Sequence, residues 1–309
     1  MPTTHDVIVI GGGAAGYTAA MFTARDRLRT VVVERFASGG QVLNCEHIDN
    51  YPGFPDGVAG YTLGPALQQQ ANAAGAELRM SEVGAVRREG DEIAVETDGE
   101  PLHARALIVA AGSRFTTLNV PGEEEFVGKG ISHCASCDGS FFMNQPVAVV
   151  GGGDAAVDEA THLTQYASQV TVVHRRDRLR AAAALQERAR ANGKIRFRWN
   201  AAVRAIEGGE GVQRLVVEDL ATGAREPIAV SGVFIYAGLT PNTEFLGGLV
   251  PLAETGQIVT DLEMRTAVPG ILAAGDVRAA SARLLAASAG DGATAAMAAV
   301  RYLRTGAWR

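Results

Sequence analysis

Short apolar runs that end in glycine form the main pattern along this chain. The first, residues 7–10, leads directly into Gly11-Gly12-Gly13, and a helix-like segment follows it. The same order returns at residues 147–156, where an apolar run precedes a second glycine triplet. A continuous apolar run bounded by turn residues is typical of a buried parallel strand. The recurrence therefore predicts two copies of one strand, turn and helix unit.

Further apolar runs complete the predicted layout. Residues 31–33 end in Glu34, and the matching residues 171–173 end in His174, so each copy extends to a βαβ unit. Three later runs also end at glycines, and they cover residues 106–111, 233–237 and 271–274. We expect the last of them to return to the first domain and to carry Asp276 there.

The length of the chain predicts two domains. Its 309 residues exceed one typical core and can supply two. We predict a first domain of residues 1–115 and 245–309, interrupted by a second domain of residues 116–244. The connecting segments near residues 116–123 and 239–245 contain proline and polar residues, as linkers between domains commonly do.

Composition and charge exclude several classes of function. The chain is 47% hydrophobic and 20% charged, which is the balance of a globular protein. A net charge of -6 argues against nucleic acid, which requires a broad basic surface. The N-terminus has no signal-peptide pattern, and Asp291 interrupts the alanine-rich C-terminal stretch. We therefore expect no membrane segment and a cytoplasmic location.

Both glycine triplets have the spacing of a dinucleotide-binding turn. The first glycine allows the tight turn, the second lets a pyrophosphate approach the backbone, and the third lets the helix pack on the strand. These positions are held by Gly11, Gly13 and Gly16 in the first copy and by Gly151, Gly153 and Ala156 in the second. Alanine suits the third position, where only close packing is needed. One triplet could be an ordinary tight turn, but two in matching context predict two dinucleotide sites.

The residue after the second strand of each copy indicates which dinucleotide is bound, because it faces the adenosine ribose. Glu34 can accept hydrogen bonds from a ribose diol, which predicts FAD or NAD in the first domain. In the second, Arg175, Arg176 and Arg180 follow His174 and can bind a 2'-phosphate, which predicts NADPH. The alternative is that these arginines form a solvated basic start of a helix.

Two of the three cysteines, Cys134 and Cys137, are separated by only two residues. This spacing suits thiol-disulfide exchange, because one thiol at a helix start is acidified and the other can resolve a mixed disulfide. No second Cys-x-x-Cys or His-x-x-x-His spacing is available for zinc, so we predict no metal site. Asp138 could exchange a proton with a leaving thiolate or could instead be a helix N-cap. We expect Cys45 to be a buried thiol without a redox role.

The combined motifs resemble the low-molecular-weight thioredoxin reductases over nearly the whole chain. The resemblance rests on segments whose order and spacing are highly specific. These segments are Gly-Gly-Gly-Ala-Ala-Gly-Tyr-Thr-Ala at 11–19, Gly-Gly-Gln at 39–41, Asn-Tyr-Pro-Gly-Phe at 50–54, Cys-Ala-Ser-Cys-Asp-Gly at 134–139, Gly-Gly-Gly-Asp at 151–154, His-Arg-Arg-Asp at 174–177, Gly-Leu-Thr-Pro-Asn-Thr at 238–243 and Ala-Ala-Gly-Asp at 273–276.

This resemblance implies an α/β fold with two Rossmann-like, three-layer ββα nucleotide-binding domains, the first of them discontinuous. It implies FAD bound in the first domain and NADPH in the second, a redox disulfide between Cys134 and Cys137, a homodimer, and thioredoxin or a thioredoxin-like protein as partner. The implied FAD residues are Gly11, Gly13, Gly16, Glu34, Gly40, Gln41, Asn50, Gly275 and Asp276. The implied NADPH residues are Gly151, Gly153, Arg175, Arg176 and Arg180.

One departure from the resemblance concerns the partner. Arg283-Leu284 stands where many relatives have Arg-Gln, so a polar contact beside the flavin or at the docking surface is expected to be missing. Two alternatives therefore stay open beside thioredoxin reduction. One is a related flavin enzyme that reduces a low-molecular-weight disulfide or oxidises dithiols. The other is a redox sensor that carries the same groups without turnover.

Overall fold

The computed structural model describes residues 4–308, which divide into two compact units. The first unit comprises the described residues up to Arg114 together with those from Thr240 onward, and the second comprises residues 115–239. Residues 1–3 and 309, which the domain prediction included, lie outside the described part. The chain thus leaves the first unit once and returns to it, and the return falls at Thr240, ahead of the predicted Phe245.

The described residues contain six α-helices and 17 β-strands. The helices are α1 (Ala14–Arg25), α2 (Gly60–Ala74), α3 (Ala135–Asp138), α4 (Asp154–Leu163), α5 (Ala183–Ala191) and α6 (Leu285–Thr305). The strands are β1 (Thr4–Ile10), β2 (Thr30–Glu34), β3 (Glu77–Met80), β4 (Val83–Glu89), β5 (Glu92–Thr97), β6 (Leu102–Val109), β7 (Ser113–Phe115), β8 (Ile131–Ser132), β9 (Pro146–Gly151), β10 (Gln169–Val173), β11 (Ile195–Arg198), β12 (Ala201–Gly208), β13 (Val212–Asp219), β14 (Arg225–Ala229), β15 (Gly232–Tyr236), β16 (Leu239–Pro241) and β17 (Ile271–Ala273).

The main sheet of the first unit has the strand order β3-β2-β1-β6 with every pair parallel. Strand β6 then divides its other edge between two partners. Its first half pairs antiparallel with β5, which continues to β4, and its second half pairs parallel with β17. The apolar run before Asp276 therefore returns to the first sheet, as the sequence predicts.

Alternating side chains of β1 give this sheet two apolar faces. Val7 and Val9 pack with alanines of α1 and α6, whereas Ile8 and Ile10 pack on the opposite side with residues of β4 and β5. Side chains alternate across a strand, so a strand that is covered on both sides needs apolar residues at every position. The result is one helical layer and two β layers, the ββα arrangement predicted from the sequence.

The second unit repeats this arrangement. Its parallel sheet has the order β11-β10-β9-β15-β8, and a separate antiparallel sheet has the order β12-β13-β14. Val147 and Val149 pack toward α4, while Ala148 and Val150 pack toward Leu215 and its neighbours on the antiparallel sheet. The βαβ units β1–α1–β2 and β9–α4–β10 are thus the two copies that the glycine pattern predicts.

The two segments that connect the units run side by side, because β7 pairs with β16. Beyond this ribbon the pairing continues within each unit. The Thr116 N–H donates to the Gly238 carbonyl at 3.0 Å, and the Asn242 N–H donates to the Gly112 carbonyl at 3.1 Å. In the part of the chain that the structure describes, no helix combines the length and the apolar character needed to cross a membrane.

Candidate redox centre and nucleotide-binding sites

Cys134 and Cys137 form a disulfide at the start of α3, with their Cα atoms 5.3 Å apart. Cys134 is half-buried and precedes the helix as its N-cap residue, whereas Cys137 is exposed. The Cys134 Sγ accepts the Cys137 N–H at 3.2 Å. The pair therefore presents one sulfur to solvent and holds the other against the backbone, which suits exchange with an external disulfide.

The backbone around the disulfide is fixed by three further hydrogen bonds. The Cys134 N–H donates to Ser132 Oγ at 3.0 Å, and the Asp138 N–H donates to the Cys134 carbonyl at 3.1 Å. The Ala135 N–H donates to Glu159 Oε2 at 3.0 Å. Glu159 is not identifiable from the sequence, because only the packing of α3 against α4 brings this carboxylate to the cysteine pair.

Asp138 is the last residue of α3 and is half-buried. Its side chain makes no capping hydrogen bond to the short 3-10 helix Gly139–Phe142 that follows. Asp138 thus occupies the N-cap position of this 3-10 helix, as the alternative interpretation predicts, but without the side-chain hydrogen bond of a cap. Its position directly after Cys137 is compatible with the predicted proton transfer, which stays a prediction.

The first glycine turn joins β1 to α1 with very little space. A Cβ atom at Gly16 would overlap the carbonyl oxygen of Gly11, and one at Gly11 would overlap the carbonyl oxygen of Ala110. Gly11 also has φ 103°, a conformation that favours glycine. At Gly13, the N-cap residue of α1, nothing lies within 4 Å of such a Cβ. The helix N-terminus is therefore open at the position where a pyrophosphate would bind.

Glu34 lies at the end of β2 beside this turn. Its Oε2 accepts the Gly12 N–H at 2.7 Å, and its Oε1 accepts the Phe36 N–H at 2.9 Å. Tyr17 also lies at this turn, although no role for it was predicted from the sequence, and its buried hydroxyl donates to Ser38 Oγ at 2.6 Å. Burial, opposed by this hydrogen bond and assisted by the charge of Glu34, raises the pKa of Tyr17. The carboxylate is thus held at the edge where the ribose was predicted to bind.

Two further predicted FAD segments lie against the same turn. The Gly39 N–H donates to the Gly12 carbonyl at 2.8 Å, and a Cβ at Gly40 would lie 3.5 Å from the Gly13 Cα. A Cβ at Gly275 would lie 3.0 Å from the Ala15 Cβ, at the start of α1. Gln41, in the 3-10 helix Gly40–Asn44, and Asn50, in the loop after it, are exposed. Gln41 Nε2 donates to the Ser113 carbonyl at 3.0 Å.

Asp276 follows Gly275 and is largely shielded from solvent. Burial raises the pKa of Asp276, although hydrogen bonds from Ser281 and Ser288 and the charge of Arg283 oppose the shift. Both serine hydroxyls donate to its Oδ1, at 3.2 and 3.4 Å. Burial thus disfavours the charged form of this carboxylate. Poorly solvated ionisable groups concentrate at functional sites, so the burial of Asp276 is compatible with a role in binding.

The second glycine turn is joined directly to the arginine segment. The Arg180 N–H donates to the Gly152 carbonyl at 2.7 Å, and Asp154 Oδ1 accepts the Ala182 N–H at 2.8 Å. Gly153 is the N-cap residue of α4, and nothing lies within 4 Å of a Cβ placed there. The predicted arginines are exposed beside the turn, and they are Arg175, Arg176 and Arg180.

His174 is buried between this turn and the arginines. Its ring occupies the position that a Cβ at Gly152 would need. Burial lowers the pKa of His174, a hydrogen bond with the Arg178 backbone opposes the shift, and the neighbouring arginine charges lower it further. Its Nε2 has no hydrogen-bond partner among the described residues. A buried polar atom without a partner is uncommon and is consistent with a site that is completed by a ligand.

Cys45 differs from its prediction, because its side chain is exposed. It follows the 3-10 helix Gly40–Asn44, and its Sγ lies 3.9 Å from the Gln41 carbonyl. Burial is usual for a lone cysteine, but the turn here directs Val42 and Ile48 inward and Cys45 outward. Among residues 4–308 no cluster of histidine, cysteine or acidic side chains is arranged to hold a metal ion.

The chain is similar to one protein family over most of its length. The profile of the pyridine nucleotide-disulphide oxidoreductases matches residues 5–300. The thioredoxin reductase of Listeria innocua is 46% identical over 97% of this chain and 94% of its own length. The thioredoxin reductase of Treponema pallidum is 42% identical over 99% of both chains.

Solved structures give the same result. The thioredoxin reductase of Lactococcus lactis matches with a TM-score of 0.95 and 40% identity, covering 97% of this chain and 99% of that one. The thioredoxin reductase of T. acidophilum matches with a TM-score of 0.92 and 32% identity, covering 96% and 98% of the two chains.

Proposed function

Because the chain belongs to the thioredoxin reductase family of the pyridine nucleotide-disulphide oxidoreductases, we propose that it uses NADPH to reduce its Cys134–Cys137 disulfide and then the disulfide of thioredoxin. The single observation that carries this proposal is the disulfide itself. Its exposed Cys137 is available to a protein substrate, and it lies in the same unit as the arginine segment.

Family membership confirms several predictions made from the sequence. The α/β fold class, the family and the enzyme class are as predicted. The family is FAD-containing and NADPH-dependent, which confirms the predicted pair of cofactors. When bound, FAD supplies the chemistry that connects a two-electron nicotinamide donor with a disulfide.

The first unit has the groups that FAD requires. The open N-terminus of α1 at Gly13 suits the pyrophosphate, and the carboxylate of Glu34 beside Gly12 suits the ribose diol. Asp276 would bind the part of FAD that joins its pyrophosphate to its flavin ring, because the loop of Asp276 lies against the start of α1. We assign Gly11, Gly16, Gly40, Gln41, Asn50 and Gly275 to the same site.

The second unit has the groups that NADPH requires. Gly151 and Gly153 form the turn that would receive the pyrophosphate at the start of α4. Arg175, Arg176 and Arg180 are exposed beside this turn and would bind the 2'-phosphate through charge-assisted hydrogen bonds. The direct bond from Arg180 to Gly152 supports the view that turn and arginines form one site.

The exchange step needs only groups of this chain and the substrate. One thiolate of the reduced pair attacks a sulfur of the thioredoxin disulfide, and a thioredoxin thiolate leaves with a proton supplied by Asp138 or water. The second thiol then gives its proton to Asp138 or water and attacks the mixed disulfide, which releases the other thioredoxin sulfur as a thiolate that takes up a proton. The Cys134–Cys137 disulfide forms again, and thioredoxin leaves with two electrons and two protons more than before.

The direct test is NADPH oxidation by the purified holoenzyme with the host's own thioredoxin. Cys134→Ser and Cys137→Ser should each abolish thioredoxin-dependent turnover, while FAD content stays at the wild-type level. Cys45→Ser is the matched control, because it removes the third cysteine, and it should retain full activity. Undiminished thioredoxin reduction by either redox-pair variant would disprove the proposal.

One observation favours a second candidate substrate. Leu284 is the N-cap residue of α6, its side chain makes no capping hydrogen bond, and it is 48% exposed. A missing polar contact at this position would fit a small disulfide substrate in place of thioredoxin. The same assay with low-molecular-weight disulfides, and with oxygen as the sole acceptor, separates these alternatives. Several NADPH molecules oxidised per chain would exclude a sensor without turnover.

We also propose that the protein is a cytoplasmic homodimer. A groove lined by Phe22 and Met297 lies between α1 and α6, and Met297 is 54% exposed although it is apolar. Such a face is suited to contact with a second copy. Light scattering after size-exclusion chromatography would test the dimer, and cell fractionation would test the location.

A further inference from the structure

Glu159 is the one carboxylate that the structure shows bonded to the backbone beside Cys134, within residues 4–308. Its Oε2 accepts the N–H of Ala135 at 3.0 Å, and Ala135 directly follows Cys134. Glu159 lies in α4 and is half-buried, while Ala135 is fully buried. The contact therefore attaches the cysteine turn to a helix that is distant in sequence.

A sulfur and a carboxylate share the N–H groups of this turn. The Cys137 N–H donates to Cys134 Sγ, and the Ala135 N–H donates to Glu159. Glu159 is already a carboxylate anion, and reduction of the disulfide followed by ionisation of one thiol places a second negative charge at the same turn. Like charges that lie close together disfavour ionisation, and the effect is larger where water is partly excluded.

We propose that Glu159 is a positioning residue that makes the Cys134–Cys137 dithiol a stronger reductant, because its carboxylate fixes the cysteine turn and its charge opposes a thiolate there. The proposal deepens the proposed function and rests on the use of this pair as the redox centre. No other assignment of the site residues enters into it.

The direction of the effect follows from the balance of the reaction. Reduction adds two electrons and two protons to the disulfide and gives two thiols, one of which can then ionise. A group that destabilises the thiolate destabilises the reduced pair, so the pair gives up its electrons more readily. Stabilising the reduced form has the opposite effect, because it makes the disulfide a stronger oxidant.

The test separates the effect of the Glu159 charge from the effect of its hydrogen bond with the Ala135 N–H. Glu159→Gln keeps an acceptor oxygen and removes the charge, whereas Glu159→Ala removes both. Asp158→Asn is the matched control, because Asp158 is the adjacent carboxylate of α4 and pairs with Arg188. All variants carry Cys45→Ser, since the exposed thiol of Cys45 would react with the trapping reagent.

Each holoenzyme is equilibrated with mixtures of oxidised and reduced dithiothreitol, which is uncharged, and its thiols are then trapped with a maleimide. The fraction of reduced pair gives the equilibrium constant. Glu159→Gln should shift this constant about threefold toward the dithiol, which equals about 14 mV at 29.6 mV per tenfold change. Its melting temperature should stay unchanged. Glu159→Ala should show the same shift with a lower melting temperature, and Asp158→Asn should show neither effect.

Salt provides a second measurement on the wild-type protein. Raising the salt concentration from about 0.05 M to about 1 M screens the carboxylate and should move the wild-type constant in the same direction as Glu159→Gln. The proposal would be overturned if Glu159→Gln had the same equilibrium constant with dithiothreitol as the wild type. It would also be overturned if Asp158→Asn shifted that constant as much as Glu159→Gln does. Failure of the proposed function would be seen separately, as wild-type enzyme that does not reduce thioredoxin.

Discussion

Arg278 binds Asp291 through two hydrogen bonds beneath the loop that carries Asp276. Arg278 Nε lies 2.6 Å from Oδ2 of Asp291, and Nη2 lies 2.8 Å from Oδ1. The same Oδ2 accepts the Gly275 N–H at 3.1 Å. The two side chains are only 16% and 9% exposed. Helix α6 is thus attached to the turn after β17 by a carboxylate with little access to water.

Asp291→Asn should therefore destabilise the first unit strongly. The variant leaves the Arg278 guanidinium without a charged partner in a poorly solvated place, which costs about 3–5 kcal/mol. The measurement is urea unfolding in a Trp199→Phe background. In that background Trp308, which packs on Tyr302, reports the first unit alone.

Glu96→Gln is the control for this substitution. It breaks the ion pair of Glu96 with Arg87 at 2.5 Å, where both side chains are well exposed, at 44% and 64%. Exposed pairs contribute at most about 1 kcal/mol. Equal losses in the two variants would show that burial does not set the strength of the Arg278–Asp291 pair.

Gly16→Ala should abolish FAD binding. The added methyl group would overlap the carbonyl of Gly11, which lies in the turn that packs against the first turn of α1. Overpacking costs about 1–3 kcal/mol and displaces the turn that would hold the pyrophosphate. Visible absorbance of the purified protein measures its flavin content. The reciprocal change Ala156→Gly should cost only about 1 kcal/mol, because it adds no atoms to the second turn.

Arg176→Ala should raise the KM for NADPH about tenfold to a hundredfold and leave the KM for NADH unchanged. A hydrogen bond to a charged group contributes about 1.5–3 kcal/mol, and only NADPH has the 2'-phosphate that would receive it. Steady-state rates with both nucleotides give the comparison. Arg196→Ala is the control, because Arg196 is an exposed arginine of β11 in the same unit. Parallel changes for NADPH and NADH would contradict the assignment.

The elements that the sequence predicted well are those fixed by neighbours along the chain. The run before Gly11 and the run before Gly151 form strands β1 and β9, because apolar residues at every position suit only a strand covered on both sides. A helix follows each glycine triplet, as predicted, and the two helices begin at Ala14 and Asp154. The return of β17 to the first sheet was also expected from the sequence.

What the sequence did not predict depends on contacts between distant segments. Cys45 is exposed because a single 3-10 turn rotates it away from the core, and composition alone carries no information on that rotation. Glu159 and Asp291 are ordinary acidic residues of amphipathic helices until packing places each beside a backbone N–H. A buried acidic residue in an apolar helical stretch, as at Asp291, was the only available signal.

Asp276→Asn should stabilise the FAD-free protein at neutral pH while it weakens FAD binding. Burial raises the pKa of Asp276, so the folded protein binds this proton more strongly than the unfolded chain does. Stability therefore falls as pH rises from the unfolded value of 3.8 through the higher folded pKa, and the loss stays complete above it. Asparagine does not ionise, so the variant avoids this loss. The gain in stability of Asp276→Asn over wild type should be absent below pH 3.8 and complete above the folded pKa of Asp276.

The measurement is urea unfolding of FAD-free protein from about pH 4 to about pH 8, read from Trp308 as before. Asp261→Asn provides a control of opposite sign. Burial raises the pKa of Asp261, but hydrogen bonds from Arg265 and Glu263 outweigh this and lower it. Its charge stabilises the fold above the unfolded pKa of 3.8, and this stability is lost only as pH falls below that value. Asp261→Asn should therefore be less stable than wild type by a nearly constant amount from about pH 5 to about pH 8, while the gain of Asp276→Asn grows with pH. If the stability difference between Asp276→Asn and wild type were as independent of pH as that of Asp261→Asn, local burial of Asp276 would not be the cause.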